Sequence, residues 1–102
     1  MKHRVVIVDD EPRMAAVVAM ALERDGHECE PCESASAALE AIDARGADVV
    51  VTDLKMPDMD GIELLRRLRA ARPALPVILL TAHGSVPTAV AAMREGAFDY
   101  VS

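Results

Sequence analysis

The fold is decided by the stretch Val5-Val6-Ile7-Val8-Asp9-Asp10-Glu11-Pro12. Four consecutive β-branched residues with no polar alternation are typical of a strand that is buried on both faces. Pro12 suits the first turn of a helix, because the backbone N–H that proline lacks has no partner there. A buried strand that leads directly into a helix predicts the first half of a β-α-β unit, with two aspartates at the turn.

The same alternation continues along the chain. Later strands are predicted at Glu28–Cys32, Asp48–Thr52, Val77–Leu80 and Phe98–Val101. Helices are predicted between them, from Pro12 to Gly26, from Ser34 or Ser36 to Gly46, from Asp60 to Pro73 and from Ser85 to Gly96. This order predicts an α/β fold with a parallel sheet and helices on both faces. Pro31 places the second strand at an edge, since it removes a ladder donor.

Apolar residues at helical spacing predict which side of each helix packs on the sheet. The inward residues are expected to be Met14, Val17, Val18, Ala21 and Leu22 in the first helix, Ile62, Leu65 and Leu68 in the third, and Val90 and Met93 in the fourth. Asp60 and Glu63 resemble a capping box at the start of the third helix.

Composition narrows the class of protein. The chain has 102 residues and is 52% hydrophobic, which predicts one globular domain over residues 1–102. Its net charge of −6 argues against nucleic acid as a partner of this segment, because phosphate backbones attract clustered Lys and Arg. No apolar run could span a bilayer or serve as a signal peptide, so we expect no membrane partner and a cytoplasmic location.

Cys29 and Cys32 have C-x-x-C spacing. A redox pair is expected at a helix N-terminus after a strand, whereas these cysteines lie in an extended acidic stretch. Two cysteines alone also cannot complete a tetrahedral zinc site. Two ordinary strand cysteines are the favoured interpretation, with redox or zinc chemistry as the minor alternative.

Carboxylates follow two of the predicted buried strands. Asp9 and Asp10 come directly after the first strand and Asp53 after the third. If those strands are neighbours, the side chains converge at one sheet edge, where open α/β sheets bind ligands. Carboxylates about 4 Å apart repel by roughly 4 kcal/mol at an effective dielectric near 20, and a hard cation such as Mg²⁺ relieves that repulsion. Thr81 ends the fourth strand, where its hydroxyl could donate to a bound anion.

Several other site classes fit poorly. Flavin or dinucleotide binding calls for a phosphate-binding loop rich in Gly, Ser or Thr after the first strand, and acidic residues stand there instead. Residues 56–67 match only part of a calcium loop, because Met56 and Arg67 occupy its first and last positions. The three histidines are scattered along the chain and form no ligand pair.

Four segments together resemble the receiver domains of response regulators in two-component signalling. They are Val5–Pro12, Val51–Gly61, Leu79–Ala82 and Gly96–Tyr100, in the family's order and spacing. The segments Thr81–Gly84 and Gly96–Val101 are most similar to regulators of the nitrogen-regulation type, which act with sigma-54. The resemblance implies a flavodoxin-like, doubly wound five-stranded sheet in the order 2-1-3-4-5.

The resemblance also implies roles for the acidic residues. Asp53 would accept a phosphoryl group from the phosphohistidine of a sensor histidine kinase. Asp10 and Asp53 would bind Mg²⁺ directly, together with the backbone carbonyl of Lys55, and Asp9 would assist. The domain would be a regulatory acceptor rather than a turnover enzyme.

Further implied roles concern the switch. Thr81 would bind a phosphoryl oxygen. The side-chain rotamer of Tyr100 would change with the position of Thr81, and this would alter the surface of the fourth helix and fifth strand. His83 and Lys55 would border the site. An AAA+ ATPase and a DNA-binding domain are the expected output, and a homodimer is possible. The family's later lysine-proline pair and last helix would come after Ser102, so the domain is expected to be C-terminally incomplete.

Two alternative functions remain open. The chain could be a phosphorylation-independent dimerisation or docking module. A metal-dependent phosphohydrolase is the weaker alternative, because that class usually has Asp-x-Asp at its nucleophile, where this chain has Asp53-Leu54-Lys55.

Overall fold

A computed structural model of the chain describes residues 2–82 and 84–101. Within these ranges the strands are β1 (Arg4–Val8), β2 (Glu28–Cys32), β3 (Val49–Thr52), β4 (Val77–Leu80) and β5 (Asp99–Val101). The helices are α1 (Pro12–Arg24), α2 (Ala35–Arg45), α3 (Gly61–Ala71) and α4 (Val86–Arg94). Every predicted element is present, and its ends differ from the prediction by only a few residues.

The five strands form one parallel sheet in the order β2-β1-β3-β4-β5. This confirms the predicted flavodoxin-like topology and the edge position of β2. Val8 at the end of β1 lies opposite Thr52 at the end of β3. The residues that follow these two strands therefore leave the same edge of the sheet side by side.

The core has two layers, one on each face of the sheet. The larger layer packs α2, α3 and α4 against the sheet, with fully buried residues such as Val6, Val50, Leu64 and Leu79. On the opposite face, Val5, Ile7 and Val51 pack against α1. Among the described residues, α1 is the helix that contributes side chains to this smaller layer. Ile78 and Leu80 of β4 face the same side of the sheet and are only half-buried.

The predicted inward faces of α1 and α4 were wrong in part. Ala15 and Ala19 are the buried residues of α1, while Met14 and Val17 are exposed. In α4 the buried residue is Ala92; the predicted Val90 and Met93 are exposed, as is Ala21 of α1. Both helices are apolar almost all round, so periodicity alone does not select a face. Alanine lets a helix backbone approach the sheet closely, and the larger side chains turn outward.

The two cysteines lie on opposite faces of β2, because side chains three positions apart in a strand point to opposite sides. Cys32 is buried in the larger layer, whereas Cys29 is half-buried beside α1. Burial raises the pKa of both thiols. Neither a disulfide between them nor a shared metal site is possible in this strand, which supports the interpretation as ordinary strand cysteines.

A group of charged residues covers the exposed edge at β2. The guanidinium of Arg4 donates hydrogen bonds to the carboxylates of Glu28 and Glu30, and Arg45 also donates to Glu30. Hydrogen bonds from Arg4 and Lys2 lower the pKa of Glu28, and the bond from Arg45, together with that from Arg4, lowers the pKa of Glu30. Charged side chains along an edge discourage pairing with another chain.

These ion pairs predict that the fold is less stable in acid. Carboxylates with lowered pKa values contribute stability above their unfolded value of about 4.5 and lose it as the pH falls through the folded values. We expect Arg4→Met to reduce the loss of unfolding free energy between neutral pH and about pH 3, as measured by urea denaturation. The exposed Arg13→Met is the control and should leave that loss unchanged; an equal change in both variants would contradict the prediction.

Across residues 2–82 and 84–101, the helices have between 9 and 13 residues and are too short for a membrane span.

Candidate functional site

Three carboxylates meet at the carboxyl edge of β1 and β3. Asp9, Asp10 and Asp53 each offer one oxygen, and these oxygens all lie within 4.8 Å of one another. Asp9 is buried, Asp53 half-buried and Asp10 exposed. The convergence expected from neighbouring strands is present, because β1 and β3 pair in register up to Val8 and Thr52.

Within the described residues, the negative charge of this cluster has no partner in an ion pair. Among residues 2–82 and 84–101, no Lys or Arg forms an ion pair with any of the three carboxylates. Burial raises the pKa of Asp9, a hydrogen bond from the Glu11 N–H at 2.9 Å opposes the rise, and the charges of Asp53 and Asp10 add to it. A bound divalent cation would offset this repulsion.

Asp53 is held by backbone groups of Val8 and Leu54 and lines a cavity. Its N–H donates to the Val8 carbonyl at 2.9 Å, and its Oδ1 accepts from the Leu54 N–H at 2.7 Å. It lines a cavity of about 200 Å³ together with Asp9, Glu11, Met14, Leu80, Thr81 and Ala82. A small group could reach the Asp53 carboxylate through this cavity.

The loop after Asp53 is fixed at several points. Asp58 accepts hydrogen bonds from the N–H groups of Ala35 and Ser36 at the start of α2, at 3.2 and 2.9 Å. The bond from Ser36 is the main cause of a lowered pKa of Asp58. This cross-connection was not predicted, because nothing in the local sequence indicates that Asp58 caps a helix more than twenty positions earlier.

The start of α3 closes the same loop. Asp60 caps the helix, as predicted, by accepting from the Glu63 N–H at 2.8 Å. The Glu63 side chain instead pairs with Arg66 and Arg67, so only half of the predicted capping box forms. The Gly61 N–H donates to the Leu54 carbonyl at 2.7 Å.

Gly61 is in close contact with the backbone of Asp53. A Cβ at Gly61 would lie 2.4 Å from the Asp53 carbonyl oxygen and 3.1 Å from a methyl carbon of Leu79. Real Cβ atoms do not approach backbone oxygens so closely, so residue 61 must lack a side chain for α3 to start here. Glycine at this position is a requirement of the site that sequence reasoning missed.

Of the other predicted site residues within the described ranges, Thr81 lines the cavity beside Asp53, whereas Lys55 and Tyr100 do not. Thr81 is 4% exposed, lines the same cavity as Asp53, and donates its N–H to the Val101 carbonyl at 3.0 Å. Lys55 is exposed in the loop after Asp53. Tyr100 is half-buried, and its hydroxyl contacts Thr88 on α4 rather than the lining of the cavity. His83 lies outside the described residues.

A family model described as the response regulator receiver domain matches residues 5–102. Among curated proteins, the chain is similar to the DNA-binding transcriptional regulator NtrC of Proteus hauseri, with 41% identity over 100 residues. That match covers 98% of this chain and 21% of the relative. The chain thus spans about a fifth of the length of the NtrC protein that it matches.

Solved structures show the same relationship. NtrX from Brucella abortus is 36% identical with a TM-score of 0.93, over 99% of this chain and 23% of that one. A response regulator receiver domain protein from Clostridium thermocellum is 36% identical with a TM-score of 0.89, over 96% of this chain and 79% of that one. The resemblance to nitrogen-regulation-type proteins that was noted in the sequence is confirmed by these matches.

Proposed function

This chain belongs to the response-regulator receiver family, and on that premise we propose that it is a phosphoryl-acceptor switch in which Asp53 takes a phosphoryl group from the phosphohistidine of a sensor histidine kinase. The proposal depends most on one observation, the cluster of three carboxylates with Asp53 facing an accessible cavity. The domain acts once per signal and is a regulated acceptor rather than a turnover enzyme.

The donor set fits Mg²⁺, since it consists only of carboxylate oxygens within 4.8 Å of one another. Asp10 and Asp53 would hold the ion together with the carbonyl of Lys55, and Asp9 would support them. When bound, the ion neutralises charge on the carboxylates and on the incoming phosphoryl oxygens.

The transfer step is a displacement at phosphorus. An oxygen of the Asp53 carboxylate forms a bond to phosphorus while the phosphorus–nitrogen bond to the kinase imidazole breaks. The imidazole leaves with the electron pair and takes up a proton. The protein contributes mainly position, because the Asp53 N–H is bonded to the Val8 carbonyl and the Asp53 carboxylate accepts from the Leu54 N–H.

A phosphoryl group on Asp53 would next engage Thr81, which lines the same cavity. Movement of the Thr81 loop would then be passed to Tyr100 and to the surface of α4 and β5. This surface carries several large apolar side chains with exposures between 44% and 77%, namely Val86, Val90, Met93 and Phe98. Exposed apolar residues at helical spacing on α4 are well suited to contact a partner.

In the whole protein, the domain would control an output segment that includes an AAA+ ATPase and a DNA-binding domain, as a sigma-54-dependent activator in the cytoplasm. A homodimer is part of this proposal, formed through the surface of α4 and β5. The name of the NtrC relative, a DNA-binding transcriptional regulator, supports a role in transcription regulation.

Phosphoryl uptake tests the proposal directly. With Mg²⁺ and acetyl phosphate, the intact mass of the chain should increase by one phosphoryl group, and Asp53→Asn should abolish the increase. Asp60→Asn is the matched control, because it makes the same chemical change nearby while asparagine still caps α3. An unchanged mass of the folded wild-type chain would contradict the proposal and favour a docking module that works without phosphorylation.

A further inference from the structure

Tyr100 is tied to the first turn of α4. It lies on β5 opposite Leu79 of β4, and its hydroxyl oxygen is 2.8 Å from Thr88 Oγ1. Thr88 is the third residue of α4. A side chain of the sheet edge is thus hydrogen-bonded to the end of the helix that lies nearest to the Thr81 loop.

The same threonine hydroxyl belongs to the cap of α4. Ser85 and Thr88 form a capping box, in which the Ser85 N–H donates to Thr88 Oγ1 at 2.9 Å and the Thr88 N–H donates to Ser85 Oγ at 3.3 Å. Thr88 Oγ1 is also 2.9 Å from the Ser85 carbonyl oxygen. Because a hydroxyl has only one proton, donation to that carbonyl leaves Thr88 to accept from the phenol of Tyr100.

The space that Tyr100 occupies depends on a residue without a side chain. A Cβ at Gly84 would lie 2.2 Å from the Tyr100 hydroxyl oxygen and 2.9 Å from Cζ of its ring. Gly84 follows closely after Thr81 in the chain. The phenol therefore lies directly against the loop that the proposed switch moves.

We propose that Thr88 and Gly84 form a latch that holds Tyr100 in its half-buried position against the loop before α4 and couples that position to the N-terminal cap of α4. Thr88 is a positioning residue, which acts through Tyr100 and does not touch the acceptor site. When Tyr100 leaves this position, the capping hydroxyl of Thr88 loses a hydrogen bond, and the stability of the first turn of α4 changes. The regulatory meaning of the latch rests on the proposed function, but its existence does not.

The chain offers a single-site probe of the latch, because Tyr100 is its only tyrosine and it has no tryptophan. Tyrosine labelled with ¹³C in the ring gives NMR signals from this one residue, recorded without Mg²⁺ or phosphodonor. Thr88→Val keeps the branched shape and removes the hydroxyl; it should lower the equilibrium constant for the latched position about fivefold, as expected for loss of one hydrogen bond. Gly84→Ala should abolish that position by steric exclusion.

Two variants separate the latch from an ordinary cap. Ser85→Ala removes the N-cap oxygen, which lies 3.1 Å from Thr88 Oγ1, but it leaves the Thr88 hydroxyl in place, so the Tyr100 signals should shift clearly less than in Thr88→Val. Thr88→Ser keeps the hydroxyl, so its Tyr100 signals should match those of the wild type rather than those of Thr88→Val. If Thr88→Val leaves the Tyr100 signals unchanged, or if Ser85→Ala shifts them equally, the latch is wrong.

Different measurements test the latch and the proposed function, so either can be contradicted without the other. Phosphoryl uptake by mass should be unaltered in folded Thr88→Val, because Thr88 does not line the acceptor cavity. A wild-type chain that takes up no phosphoryl group would contradict the proposed function and leave the ring-signal result standing. Normal uptake with unchanged ring signals in Thr88→Val would overturn the latch alone.

Discussion

Gly61→Ala is expected to lower the free energy of unfolding by about 3 kcal/mol, because its Cβ would lie 2.4 Å from the Asp53 carbonyl oxygen. The atom that it meets belongs to the backbone and cannot rotate away. Either α3 must shift or the acceptor strand end must move. Urea denaturation of the metal-free chain measures the loss.

The sign of the Gly61 effect makes it informative. Gly61 has no positive φ, so alanine is compatible with the backbone, and in an open helix position it would stabilise the protein by roughly 0.5–1 kcal/mol. A loss of stability therefore reports the contacts of the added Cβ, of which the one with the Asp53 backbone is the closest. Phosphoryl uptake should also slow, because the same contact sets the position of the acceptor.

Gly26→Ala is the matched control for Gly61→Ala. Gly26 has a φ of 88° and no heavy atom within 4 Å of an added Cβ, so its cost is limited to backbone strain of about 1–2 kcal/mol, with no effect on uptake. A neutral or stabilising Gly61→Ala variant would show that the start of α3 does not press on the acceptor residue.

Mg²⁺ is expected to stabilise the fold by about 2.7 kcal/mol at a concentration one hundred times its Kd. The physical reason is the cluster at Asp9, Asp10 and Asp53, whose oxygens lie within 4.8 Å of one another without a paired cation in the described residues. Thermal or urea unfolding with and without Mg²⁺ measures the gain, which should be absent in Asp53→Asn.

In metal-free buffer, Asp53→Asn should make the chain more stable than the wild type. Asp53→Asn removes one of the repelling charges and should raise the free energy of unfolding by about 1 kcal/mol, well below the unscreened repulsion because Asp10 is exposed. Asp43→Asn removes an exposed charge of α2 outside the cluster and should change stability little. Equal gains in the two variants would argue for a general effect of net charge rather than a local site.

The sheet and its acidic edge were predictable from the sequence because their signals are local. Runs such as Val5–Val8 mark buried strands, and an aspartate that follows such a run must lie at the strand end. The parallel pairing of β1 with β3 then brings Asp53 beside Asp9 and Asp10. The presence of the cluster follows from topology and needs no detail of side-chain packing.

Other features depend on contacts between distant segments and were not predictable in this way. The inward faces of α1 and α4 are set by the closeness that alanine allows, which an apolar period does not reveal. Asp58 caps α2 from another loop, and Gly61 and Gly84 are required by neighbours that become visible only in three dimensions. Small residues carry little sequence signal, although they determine how closely the elements approach.

Because Cys29 and Cys32 point to opposite sides of β2, thiol labelling can report on the two layers of the core separately. Cys29 Sγ lies 3.8 Å from the Ala19 carbonyl beneath α1, whereas Cys32 belongs to the layer that contains α2. Because Cys29 is half-buried and Cys32 is buried, an alkylating reagent should label Cys29 faster and should reach Cys32 only when the α2 side of β2 opens. Since burial raises the pKa of both thiols, labelling of the closed form is slow, and the rate at the buried Cys32 measures the opening of the layer that contains α2.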